Sequence, residues 1–180
     1  LSTNRLNFLV EDLLNVSRIE QKRLVINLKE VNTQEILNSI KDEFQLRTKA
    51  KGLELKLNLE ENFPNVLADE DKLRQVLINL MGNAVKYTIK GNIELAAKFK
   101  KGFVTISIKD SGIGMSAKDR EGLFSKFHRI ENEKTKGITG TGLGLWITKQ
   151  LIELMNGKIY IDSIENVGTK IYFTIPIFKK

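Results

Sequence analysis

Between residues 53 and 59 the chain alternates strictly. Leu53, Leu55, Leu57 and Leu59 are separated by Glu54, Lys56 and Asn58, and a period of two predicts a strand with one buried face. The same alternation marks 92–99 and 103–109, with Lys101-Gly102 between them as a hairpin turn, and 158–162 and 169–175 as a closing hairpin. Elsewhere the apolar positions recur at helical spacing. Leu73, Leu77, Leu80 and Ala84 predict a helix over 70–87 that Asp69 caps. Ile36, Leu37, Ile40 and Phe44 predict another ending near Ala50, opened by a capping-box-like pair, Asn32 and Glu35, and stopped by Gly52. A short strand over 25–31 precedes it. At the start of the chain, Leu6, Leu9, Leu13 and Val16, flanked by Val10, Leu14 and Ile19, give residues 1–22 a wide apolar stripe. So short a helix is marginal alone. It must pack on something, and a partner helix is favoured over the chain's own core. Ser116 and Asp119 predict a short capped helix through Phe124, 131–139 is polar and reads as a loop, and a last helix runs to Asn156 with Gly157 as its stop.

Adjacent strand pairs separated by helices predict an α+β fold, a two-layer sandwich with a mixed, largely antiparallel sheet and helices on one face. No repeat or low-complexity tract interrupts it. The 180 residues suit one domain with an appendage. With no cysteine, disulfides and thiolate chemistry are excluded, and His128, the single histidine, cannot build a catalytic triad or a histidine metal cluster. No apolar run approaches a membrane span and no signal peptide opens the chain. It begins at Leu1 inside a helical pattern and reads as a piece of a longer protein. The net charge of +7 favours anionic partners. The lysines are scattered and form no basic motif, which argues against nucleic acid.

Three features remain unexplained by folding alone. Asn79, Asn83 and Lys86 share one helix face, roughly opposite Leu77, Leu80 and Ala84. The face is either merely solvated or a set for metal and phosphate: an amide oxygen suits Mg²⁺ and an ammonium suits phosphate. Asp110 opens "DSGIGM", as a turn residue or as an acceptor for an amine. "GTGLGL", 140–145, opens a helix, either as a plain junction or as a phosphate-facing N-terminus. The common phosphate-loop motif is absent, and the dinucleotide fingerprint fails because Leu145 stands where glycine is needed and no strand precedes the run.

These residues carry a resemblance. "NLMGNAVKYT", 79–88, resembles the N box of sensor histidine kinases, "DSGIGM" their G1 box, "LFSKFHRI", 123–130, their F box, and "GTGLGL" their G2 box. The order and spacing match, and nearly the whole chain is covered. Residues 5–20, ending in "LLNVSRIE", look like the second helix of the dimerisation and phosphotransfer domain. The superfamily also contains gyrase, heat-shock chaperone and mismatch-repair ATPases. The resemblance implies a Bergerat-type ATP-binding fold over 25–180 and the dimerisation helix over 1–24. It implies ATP and Mg²⁺ as cofactors, Asn83 as metal ligand with Asn79 in support, Lys86 on phosphate and Tyr87 beside the nucleotide. Asp110 would accept from the adenine amine, aided through water by Thr169, with Gly112, Ile113 and Gly114 close to the base. Residues 115–140 would be the ATP lid, with Arg129 on the γ-phosphate. Gly140, Thr141, Gly142 and Gly144 would surround the phosphates, and Leu143 and Leu145 would act as hinges. His128 would pack in the lid. Asn79, Lys86 and Arg129 would serve phosphoryl transfer from ATP to a histidine outside this chain, and onward to a response regulator, in a homodimeric protein. The phosphoacceptor box and the first dimerisation helix are absent here. The resemblance also implies a cytoplasmic place for this part and leaves membrane anchoring of the whole open. Two alternatives stand beside it, an ATPase clamp of the same superfamily and a non-catalytic docking module. The clamp relatives carry a glutamate four residues before the metal asparagine, and Asn79 cannot act as that base.

Overall fold

Valine and isoleucine at every second position give the central strand its two faces. In β5 (Phe103–Asp110), Val104, Ile106, Ile108 and Asp110 are buried, while the residues between them are half-buried or exposed. The computed structural model describes residues 2–60, 63–130 and 132–179, with side chains described from Val10 onward. β4 (Gly91–Lys100) precedes β5 as a hairpin. Lys101 and Gly102 turn it with φ of 52° and 81°, the left-handed pair that a two-residue turn requires. With β2 (Leu53–Leu59), β6 (Lys158–Ile164) and β7 (Gly168–Pro176) they form one sheet in the order β2-β4-β5-β7-β6. β2 and β4 run parallel and the other pairs antiparallel, so the sheet is mixed, as expected.

Three helices cover one face: α2 (Thr33–Ala50), α3 (Glu70–Tyr87) and α5 (Gly144–Leu154). Leu37, Ile40 and Phe44 of α2, Leu73 and Leu77 of α3, and Ile147, Leu151 and Ile152 of α5 meet Ile106, Phe173 and Ile175 of the sheet in one core. Asp69 caps α3 by accepting from the Lys72 N–H, and its second oxygen accepts from Asn27 N–H, 2.9 Å away. One carboxylate therefore both starts the helix and anchors the incoming linker.

Several boundaries differ from the expectation. The first strand, β1 (Lys29–Val31), is shorter than 25–31, because its only partner is the equally short β3 (Val66–Ala68), which the pattern did not predict. Asn32 caps α2 through the Glu35 N–H, half of the expected box. The reciprocal box forms instead at Ser116 and Asp119, opening α4 (Ala117–Arg120). That helix stops short of Phe124 as Gly122 takes a φ of 72°. α5 ends two residues before Asn156, and Asn156 itself takes the left-handed position. Gly157 is required for another reason: a Cβ there would lie 2.0 Å from Thr174 O of β7.

The opening helix, α1 (Ser2–Glu20), lays Val16 and Ile19 against the chain's own core, where a partner helix was favoured. Leu13 and Val10 stay about half exposed, and the Leu6 and Leu9 side chains lie outside the described ones. No helix among the described residues is long and apolar enough to cross a membrane.

Candidate functional site

The inward alternation of β5 ends on a carboxylate. Asp110 is 9% exposed. Burial pushes its carboxyl up, against the backbone N–H groups of Gly112 and Thr169 that favour its charged form. Gly112 N–H donates to Asp110 Oδ1 at 2.8 Å. The loop that follows is fastened to the end of α3, with Ile113 N–H donating to Tyr87 O at 3.2 Å.

A cavity of about 820 Å³ opens over Asp110 and is lined from α3 by Asn79, Asn83, Lys86 and Tyr87. This helix face was expected roughly opposite the buried one. In the structure it is flanked by α5, which covers part of it: Asn79 Nδ2 donates to Thr148 Oγ1 at 2.8 Å, and Asn79 Oδ1 lies 2.6 Å from where a Gly144 Cβ would stand. Asn79 thus braces α3 to α5. The Asn83 side chain makes no hydrogen bond among the described residues and faces the same cavity. Lys86 Nζ sits 5.1 Å from the centroid of the Tyr87 ring and 3.1 Å from a Cβ placed on Gly140. Burial and then the Arg129 charge lower its pKa. Burial raises that of Tyr87, with Arg129 opposing. Lys86, Tyr87 and Arg129 therefore share one electrostatic environment. The Arg129 guanidinium is oriented by Nη2, which donates to Ile138 O at 2.8 Å.

The glycine runs divide into residues that face the cavity and residues that the chain's own packing demands. Ile113, Gly114, Gly140, Thr141, Gly142, Gly144, Leu145 and Thr169 line the cavity with the α3 residues, Asp110 and Arg129. Gly112 and Leu143 do not. A Cβ on Gly112 would meet Tyr87 O at 2.5 Å, so that glycine lets the loop approach the helix end. Leu143 is buried in the core at 1% exposure and precedes α5 without a side-chain cap. The first N–H groups of α5 are consequently left without a capping side chain, which suits an anion. The Thr169 hydroxyl pairs with Ser163 Oγ at 2.9 Å, and the Thr169 backbone N–H supports Asp110. His128 packs beside Gly122, and its buried Nδ1 has no hydrogen-bond partner among the described residues.

Sequence reasoning missed the contribution of α1. Glu11, Asp12 and Arg18 border the cavity, and Asp12 Oδ2 accepts from the Thr141 hydroxyl at 3.0 Å. Burial pushes the Asp12 carboxyl up, with Thr141 opposing and Glu11 adding to it. No local signal in a helix reveals a partner 129 residues away. Among the described residues no cluster of three acidic or histidine side chains could hold a metal. One uncommitted amide, Asn83, still suits Mg²⁺, which takes few protein ligands and keeps its waters. The whole arrangement can seat a molecule that carries both an amine for a buried carboxylate and several negative charges for Lys86, Arg129 and the start of α5.

Comparisons with known proteins show what this chain is similar to. Residues 68–179 match the family described as histidine kinase-, DNA gyrase B-, and HSP90-like ATPase. The sensor histidine kinase WalK of Bacillus subtilis is 37% identical over 177 residues, covering 97% of this chain and 29% of its own length. The solved structure of full-length ShkA in complex with AMPPNP superposes with a TM-score of 0.88 at 30% identity, covering 99% of this chain and 37% of that one. Histidine kinase ThkA in complex with response regulator protein TrrA superposes with a TM-score of 0.78 at 27% identity, over 98% of this chain and 49% of that one. The chain spans 19% to 35% of the length of the curated relatives.

Proposed function

The chain belongs to the histidine kinase-, DNA gyrase B-, and HSP90-like ATPase family, and from that premise we propose that it is the ATP-binding catalytic domain of a two-component sensor histidine kinase. The observation that carries this reading is a single cavity holding a buried carboxylate, Asp110, together with Asn83, Lys86, Arg129 and the uncapped start of α5. Adenine would donate its amine to Asp110. Lys86, Arg129 and the α5 N–H groups would hold the phosphates, and Asn83 would hold Mg²⁺. The metal would supply neutralisation of phosphate charge, the usual requirement of phosphoryl transfer.

The domain's own residues would then act mainly by positioning. The γ-phosphorus to bridging-oxygen bond breaks, a phosphorus–nitrogen bond forms on a histidine outside this chain, and ADP departs. A response regulator aspartate would receive the phosphoryl group next. Residues 1–24 are read as the closing helix of the dimerisation and phosphotransfer domain of a homodimer, and 25–180 as the catalytic domain. The brace between Asn79 and Thr148 favours the kinase over an ATPase clamp, since this position holds helices together and offers no base for water.

Calorimetric titration with ATP and GTP tests the assignment. GTP carries a carbonyl where adenine carries its amine, so ATP should bind at least about a hundredfold more tightly. Equal affinities would refute the role of Asp110.

A further inference from the structure

An α-helix leaves its last four carbonyls without partners inside the helix. At the end of α3 the ladder closes with Thr88 N–H donating to Ala84 O at 3.1 Å, and the four carbonyls beyond it, those of Val85, Lys86, Tyr87 and Thr88, are all satisfied from elsewhere. The buried Thr88 hydroxyl adds a second bond to Ala84 O at 2.7 Å. Tyr87 O accepts from Ile113 N–H at 3.2 Å. The remaining three accept from one distant side chain: Lys51 Nζ donates to Val85 O at 2.6 Å, to Lys86 O at 3.2 Å and to Thr88 O at 2.9 Å. An ammonium has three donors, and here each has an acceptor on the same helix end. The positive charge also stands where the helix dipole is negative.

The place of this contact gives it a consequence beyond stability. The clamped turn carries Lys86 and Tyr87, both lining the cavity, and its final carbonyl holds the loop that follows Asp110. Lys51 itself does not line the cavity. It closes α2 as its C-terminal cap, so its backbone is fixed just before β2. We infer that Lys51 is a positioning residue for the nucleotide site, fixing the last turn of α3 so that Lys86 and Tyr87 face the ligand and the Asp110 loop keeps its anchor. This rests on the nucleotide reading of the cavity.

The chain has no cysteine, so Lys51→Cys creates a unique thiol for chemical rescue. Alkylation with 2-bromoethylamine rebuilds a side chain of lysine's length ending in an ammonium, and iodoacetamide installs a neutral amide in its place. ATP affinity, read by calorimetry on the full chain, should fall about tenfold in Lys51→Cys, as for loss of charged hydrogen bonds. It should recover to within about twofold of wild type on aminoethylation but not on amidation. Wild type that fails to bind ATP refutes the nucleotide reading. Wild type that binds ATP while Lys51→Cys binds equally well, or an amide that rescues as fully as the amine, overturns the role of Lys51. Hydrogen exchange needs no ligand and covers a variant that folds poorly. The Thr88 and Ile113 amides should exchange faster in Lys51→Cys and slow again on aminoethylation, with those of Leu77 and Leu80 unchanged. Uniformly faster exchange along α3 would mean general destabilisation and would equally overturn the inference.

Discussion

Burial disfavours the charged form of Asp110. Its carboxyl is pushed above the ordinary aspartate value of 3.8 in the folded protein, so the folded state binds the proton more tightly than the unfolded state. The stability it contributes is fully present below that value and is lost as pH rises through the raised one. Asp110→Asn should therefore melt as high as the wild type or higher at pH 7, with the gain shrinking toward pH 4, while ATP affinity falls by about a hundredfold or more. Thermal melts and calorimetry on one preparation check both halves. Asn83→Ala should weaken Mg-ATP binding far more than binding of metal-free ATP, because only the former uses the amide oxygen. Titrations with and without Mg²⁺ decide it, and equal losses would reassign Asn83. The residues of this cavity were legible in the sequence because their types sit at fixed offsets within contiguous runs. Asp12, Thr148 and Lys51 were not, since each acts on a site remote in sequence and each looks like an ordinary helix residue or helix end.

A glycine in the loop after β5 and one inside α3 separate backbone need from habit. Gly114 has a φ of 61°, and a Cβ on it would lie 1.9 Å from Ile164 O. Both the conformation and the collision are backbone matters that no rotamer relieves, so Gly114→Ala should destabilise the domain by about 3 kcal/mol. Gly82, inside α3, has nothing within 4 Å of its Cβ position. Gly82→Ala should stabilise by about 0.8 kcal/mol, the difference in helix propensity. Denaturant unfolding of both variants reads the opposite signs. The long helices and the hairpins were readable from period alone, since each has a single buried face. β3 was not, because three residues carry no measurable period, and they pair with the equally short β1 and, at Val66, with Ile177. The true end of α5 was also hidden: Gly157 looked like the stop, but its lack of a side chain serves the approach of β7, and Asn156 makes the turn.

Across the whole molecule, α1 borders the cavity and packs on the chain's own core, where a partner helix was expected. Its Asp12 holds Thr141, its Val16 joins the core, and its Glu20 pairs with Lys126, whose ammonium also lies 4.7 Å from the Trp146 ring centroid. No period in the sequence could reveal this, because the same apolar stripe serves a partner helix or the chain's own core. On the reading proposed above, the cavity presents the γ-phosphoryl of ATP to a histidine outside these 180 residues. The measurement that tests it most directly is transfer of label from γ-phosphate-labelled ATP to a protein carrying both complete dimerisation helices, with this domain added in trans. That partner should be labelled slowly, with label acid-labile and base-stable as a phosphoramidate is, and lost with Asn83→Ala in this domain. Rapid release of labelled inorganic phosphate with no label on the partner, or label on His128, would contradict it.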